Sequence, residues 1–163
     1  MNSENHLPYK TEFNHLSEMN NYVGKELGIS NWHSISQEQI NAFGEVTDDN
    51  QWIHTDPEMA ATHSPYKTTV VHGFFILSLI PKFCNETFAF SDVTMGINYG
   101  LDKVRFITAT QVNSFIRAKV SLMEFTPIPA GAKYKLEIVF ELEGEKKPAC
   151  VVEFIGLAYT KKS

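Results

Sequence analysis

His72-Gly73-Phe74-Phe75-Ile76-Leu77-Ser78-Leu79-Ile80-Pro81 is the stretch on which the fold turns. Between Phe74 and Ile80 only Ser78 is polar. As a helix such a run has no solvent face, so it must be enclosed on every side. Ser78 inside it is expected to bond back to its own backbone. Gly73 stands at its start, and Pro81, lacking an N–H, kinks or ends it. The nearly apolar run from Val70 to Phe83 is too short to span a bilayer, and Lys82 closes it.

Downstream the texture changes to period two. Ile116, Ala118, Val120 and Leu122 alternate with Arg117, Lys119 and Ser121; Tyr134, Leu136, Ile138, Phe140 and Leu142 alternate with Lys135, Glu137 and Glu141. Side chains alternate between the two faces of a strand, so these are half-buried antiparallel strands. Glu143-Gly144-Glu145 makes a turn, Ala149 to Tyr159 a last strand, and Val104 and Phe106 mark an earlier one from about Asn98 to Ile107. One enclosed helix followed by four strands predicts an α+β arrangement, an antiparallel sheet wrapped around a central buried helix.

Upstream, the first dozen residues are polar and unpatterned, and a frayed start is expected. Leu16 to Leu27 reads as a short helix ended by Gly28. Ser36 with Gln39 forms a capping box, and Ile35 staples against Ile40. That helix is expected to bury Ile40, Phe43 and Val46, then release the chain at Thr47-Asp48-Asp49. Asp56-Pro57-Glu58 starts another, with an Asp cap and a first-turn proline.

The bulk properties bound the function. The 163 residues are 43% apolar and 20% charged, ordinary values for one globular domain. A formal charge of −5 and no long basic run argue against nucleic acid. The N-terminus has no charged-then-apolar leader, and the two cysteines, Cys84 and Cys150, read as buried thiols of a reducing compartment. The expectation is a cytoplasmic protein without a membrane partner.

The chemistry-bearing residues lie between the helices. Asp49 and His54 are five positions apart, a carboxylate beside an imidazole that can hold a water while moving its proton. Gly73, at a helix start, can offer an N–H to a carbonyl oxygen. Taken alone, such a pair is also a common cap or surface ion pair. His54, Asp56, His63 and His72 match no usual zinc spacing, so no metal is expected. Lys103, Arg105, Lys146 and Lys147 read as solvated charges, and His6, His15 and His33 as surface residues.

The segment from Thr47 to Asp56 resembles the hydratase motif of the MaoC-like dehydratases, Ser/Thr-Gly-Asp-x-(Asn)-Pro-x-His. Gln51-Trp52-Ile53-His54 is similar to the variant in the nodulation-protein-N-like branch. Three further anchors follow in order: Val71-His72-Gly73-Phe74, Asn98-Tyr99-Gly100-Leu101-Asp102-Lys103-Val104-Arg105-Phe106, and Lys147-Pro148-Ala149-Cys150-Val151. The resemblance runs from about Trp32 to Tyr159. It implies one hot-dog domain over residues 1–163, with the sheet as the bun and residues 72 to about 88 as the sausage. By the related (R)-specific enoyl-CoA hydratases it implies Asp49 and His54 as the catalytic pair. Gly73 would bind the thioester carbonyl, with His72, Asn98 and Tyr99 lining the substrate site. The implied reaction is reversible hydration of a 2-enoyl-CoA to a 3-hydroxyacyl-CoA, a step of fatty acid metabolism. It needs no cofactor and no metal. CoA or an acyl-carrier protein is the substrate's handle, and a homodimer is implied. Two rivals share the fold: an acyl-CoA thioesterase and a non-catalytic acyl-binding protein. Asp48 departs from the family pattern, standing where the motif has glycine.

Overall fold

Eight strands and five short α-helices carry the chain through residues 6–161, the residues described by the structure, a computed structural model. In chain order they are β1 (Tyr9–Phe13), β2 (Glu26–Ile29), β3 (His33–Ser34), α1 (Gln37–Thr47), α2 (Trp52–Thr55), α3 (Pro57–His63), α4 (Gly73–Ser78), α5 (Ile80–Thr87), β4 (Phe88–Phe90), β5 (Val93–Phe106), β6 (Phe115–Ile128), β7 (Gly131–Leu142) and β8 (Cys150–Thr160). The strands form one sheet in the order β4-β1-β2-β6-β7-β8-β5, with β3 pairing beside β2 along β6. All pairings are antiparallel except β1 with β4.

That order dictates the shape. β4 and β5 are the two outermost strands, yet only Ser91 and Asp92 separate them in the chain. A link so short cannot cross a flat sheet, so the sheet curls until these edges approach at one end. The junction is pinned: Ser91 donates to the Phe13 carbonyl, and the Asp92 carboxylate accepts from the Leu16 N–H at 2.9 Å. Inside the curl lie α4 and α5. Ile76, Ile80 and Phe83 meet the inward residues Ala118, Val120, Leu136, Ile138, Phe140 and Val152, all buried. This is the sheet wrapped around a buried helix that the apolar run and alternating strands predicted, in the bun-and-sausage form that the resemblance implied.

The sausage is two helices rather than one. α4 ends at Ser78, whose hydroxyl donates to the Phe75 carbonyl, and α5 begins at Ile80 with Pro81 in its first turn, where a missing N–H costs nothing. Enclosure is also incomplete, since Phe74 is 71% exposed in the protomer.

Local start signals operate as read. Ser36 and Gln39 form a reciprocal capping box, and Asp56 accepts from the Met59 N–H. Val46, however, is exposed; Gly44 is buried in α1 instead, with Ile40. The predicted helix at Leu16–Leu27 is a 3-10 helix over Leu16–Tyr22, after which Gly24 turns the chain at positive φ. Gly28 ends no helix. It lies within β2, where the Thr87 and Tyr9 carbonyls crowd the place a Cβ would fill. Nor is the whole start frayed: Tyr9–Phe13 pairs with both β2 and β4, while residues 1–5 lie outside the described residues. β5 begins at Val93, five residues before the predicted start. His33 is half-buried and bonded to Glu86 at 2.7 Å rather than a free surface residue.

Candidate active site

Asp49, His54 and His72 come together above the start of α4, with ligand-type atoms within 4.8 Å of one another. Each is delivered by a local device. α1 ends at Asp48, which adopts the left-handed conformation (φ 58°) and so turns the chain sharply towards Asp49. This is the backbone role for which glycine is best suited, and Asp fills it with modest strain. His54 rides on α2. Its main-chain carbonyl accepts from Gln37, the first residue of α1, at 2.7 Å, and Thr69 donates to the same Gln37 side chain. Sequence reading passed over Gln37 and Thr69; neither spacing nor residue type singles them out.

The His54 ring is oriented by the Val70 carbonyl. Nδ1 lies 2.6 Å from that oxygen, and since a carbonyl only accepts, Nδ1 carries the proton. Nε2 therefore keeps its lone pair. Burial is the main influence holding the His54 pKa below its usual 6.5, opposed by the Val70 hydrogen bond; His72 lowers it further and Asp49 raises it. A neutral imidazole with an available lone pair beside a carboxylate is a proton-handling pair.

His72 and His54 stack, with ring centroids 3.8 Å apart and planes 27° apart. The trio is close enough to suggest a shared cation. Nitrogen lone pairs lie in the ring planes, so stacked rings direct them side by side rather than at one point. One nitrogen on each ring is also engaged by a backbone carbonyl. The arrangement suits proton transfer better than chelation.

Gly73 follows directly as the first residue of α4, where an N–H has no carbonyl one turn back to bond. A Cβ here would stand 2.9 Å from the Phe106 ring. The space left by the missing side chain is thus closed by Phe106, which also meets Phe74 edge-on at 6.0 Å. The sequence placed Phe106 in a strand and in a motif but gave it no part in the site.

Asn98 and Tyr99 are not brought to this cluster. They lie seven or eight positions before Phe106 on β5, roughly 25 Å along an extended strand. Asn98 instead borders a cavity of about 580 Å³ at the α5 end of the helix pair, whose walls include Ile80, Cys84, Phe88, Tyr134 and Phe154. Burial pushes the Cys84 thiol up to about 12, so it stays protonated and is a wall rather than a nucleophile. Lys103 pairs with Glu153, and Arg105 bonds to a neighbouring carbonyl.

With this geometry in hand, likeness to known proteins is informative. Residues 18–136 match the family model described as MaoC like domain. The chain is 40% identical over 144 residues to 3-hydroxyacyl-thioester dehydratase Z of Mycobacterium tuberculosis, covering 88% of this chain and 95% of that one. It is 37% identical to nodulation protein N of Rhizobium meliloti, over 88% and 90% of the two chains. The unliganded (R)-hydratase of Pseudomonas aeruginosa superposes with a TM-score of 0.66 at 18% identity, over 80% of this chain and 79% of that one, a likeness of fold. The chain belongs to the MaoC-like dehydratase family and is a hydro-lyase of hot-dog fold.

Proposed function

We propose that this protein adds water reversibly to a 2-enoyl thioester, giving a 3-hydroxyacyl thioester, with Asp49 and His54 as the pair that handles the water. The observation that carries this reading is the orientation of His54. Its Nδ1–H is tied to the Val70 carbonyl, which leaves Nε2 unprotonated beside Asp49 at the mouth of α4. A water held between Nε2 and the Asp49 carboxylate loses a proton as its oxygen bonds to C3. A proton is delivered to C2, so one water is consumed and both new bonds come from it. Negative charge gathers meanwhile on the thioester oxygen. An N–H aimed there, for which Gly73 is the candidate, stabilises that charge more in the transition state than in the substrate. All of this chemistry is acid–base, and the groups present supply it. CoA is the favoured handle of the substrate. We place the acyl chain along the helix pair, towards the cavity bordered by Ile80, seven residues or about 10 Å beyond Gly73.

A homodimer fits the same reading. Among the described residues β5 pairs only with β8, which leaves its other edge without a strand, and Met95, Ile97, Tyr99 and Leu101 along it are exposed, as is Phe74. A long apolar edge of this kind is a site for pairing with another chain. No helix among the described residues is long and apolar enough to cross a membrane.

Crotonyl-CoA is the first substrate to try, following loss of the enoyl absorbance. Turnover by the wild type that both Asp49→Asn and His54→Ala reduce at least 100-fold, with the fold retained, supports the assignment. An active Asp49→Asn variant overturns it, and release of free thiol in place of hydration favours a thioesterase.

A further inference from the structure

His72 lies beside the proposed catalytic pair and touches both of its members. It is 2% exposed, which removes it from contact with substrate and from the substrate-lining role suggested by its place in the motif. Three connections meet in this one residue. Its Nε2 is 2.9 Å from the main-chain carbonyl of Asp49. Its ring stacks on His54 at 3.8 Å, and Phe43, itself stacked on Phe75, packs against it at 5.1 Å. Its own carbonyl accepts from the Phe75 and Ile76 N–H groups, fixing the first turn of α4 directly after Gly73.

Building on the hydratase reading above, we propose that His72 is a positioning residue. It is a neutral imidazole, protonated on Nε2, that holds Asp49, His54 and Gly73 in one fixed arrangement. The tautomer follows from the acceptor. A carbonyl takes a proton and gives none, so Nε2 must be the protonated nitrogen of His72, just as Nδ1 must be for His54. The two stacked rings are therefore opposite tautomers. The remaining nitrogen, Nδ1, is buried with no hydrogen-bond partner among the described residues, so no acceptor there holds a second proton. A buried acceptor without a protein partner is costly, so its retention calls for a compensating gain. Here the gain is geometric. Catalytic groups displaced by about 1 Å lose on the order of 100-fold in rate, and one buried ring bonded to one partner and stacked on the other limits such displacement.

The test separates the two contacts. His72→Gln keeps an N–H donor near the Nε2 position and loses the ring; His72→Phe keeps a ring and loses the donor. The expected result is a fall in kcat of about 10- to 100-fold for His72→Phe with KM changed less than about threefold. His72→Gln should restore most of that loss. Equal activity of His72→Phe and wild type, or a Gln variant as impaired as Phe, overturns the proposal. A readout independent of turnover is 15N NMR of the imidazoles in the wild-type protein at pH 7. His72 should be protonated on Nε2 alone and His54 on Nδ1 alone, and the His54 signals should move in His72→Phe. A charged or Nδ1-protonated His72 overturns the inference even if that variant fails to fold. Should the wild type hydrate no enoyl thioester, the hydratase reading falls, while these spectra still decide the role of His72.

Discussion

The two ends of the α4–α5 pair are built on opposite lines. At the start of α4 the side chains are held tightly: His54 and His72 are stacked and tied to carbonyls, and the Phe106 ring packs against Gly73. Along α5 the same sheet leaves a cavity of about 580 Å³ bordered by Cys84, Phe88 and Tyr134. Proton transfer needs groups held to a fraction of an ångström, whereas an acyl chain needs volume and little else. Under the proposed function, the contrast puts chemistry at one end and chain accommodation at the other.

The sharpest way to break this contrast is at the packed end. Asp49→Asn and His54→Ala should each reduce enoyl-CoA hydration by about 10²- to 10⁴-fold, the range of a lost acid–base group. The melting temperature should change little in Asp49→Asn and fall in His54→Ala, which removes a buried ring bonded to the Val70 carbonyl. Steady-state kinetics beside thermal melts checks both halves. Gly73→Ala comes next. Its methyl would meet the Phe106 ring at 2.9 Å, so Phe106 must move, at about 1–3 kcal/mol of overpacking. We expect a kcat loss of roughly tenfold or more from the displaced donor, partly recovered by adding Phe106→Leu, which gives the methyl room.

At the open end the opposite outcome is expected. Cys84→Phe should leave crotonyl-CoA turnover within about twofold while shifting selectivity towards short chains. Each methylene denied burial costs about 0.8 kcal/mol, or roughly fourfold in kcat/KM, so excluding several is readily measured with a chain-length series. Equal loss for all lengths would place the acyl chain elsewhere.

The pH response distinguishes the ends too. The folded His54 pKa lies below 6.5, so the unfolded chain binds a proton there before the folded one does. This group's contribution to stability is full above pH 6.5 and is lost as pH falls towards the folded value. Melting temperature against pH should therefore decline less steeply below 6.5 in His54→Ala than in wild type. The smallest effect is expected at Asp48, whose φ of 58° suits glycine. Asp48→Gly should stabilise by at most about 1 kcal/mol, measurable by denaturant titration, because relief of strain is offset by added freedom in the unfolded chain.

These residues also show what can be read from a chain. The Ser36–Gln39 box, the Asp56 cap and the alternation through β6 and β7 were legible, because each depends on neighbours within a turn or a strand. Asp49, His54 and Gly73 were legible from motif spacing, and the fold then placed them together. Asn98 and Tyr99 share a motif with Phe106 but not its location, since an extended strand carries motif partners far apart. The 3-10 helix at Leu16–Tyr22 was misread as a longer α-helix because Leu27 and Ile29 serve a strand whose partners, Lys119 to Ser121, lie some ninety residues on.

By itself, then, the sequence determined the apolar run, the strand alternation and the caps, set by short-range sterics, hydrogen bonding and hydrophobic period; the Asp49–His54 pair was read through its resemblance to a family motif. Tertiary structure alone decided which ring fills the space at Gly73, which carbonyls choose the tautomers of His54 and His72, and where the cavity opens. Those depend on closing the sheet so that β4 and β5 approach across a two-residue link, and no local pattern encodes which distant side chains that closure brings into contact.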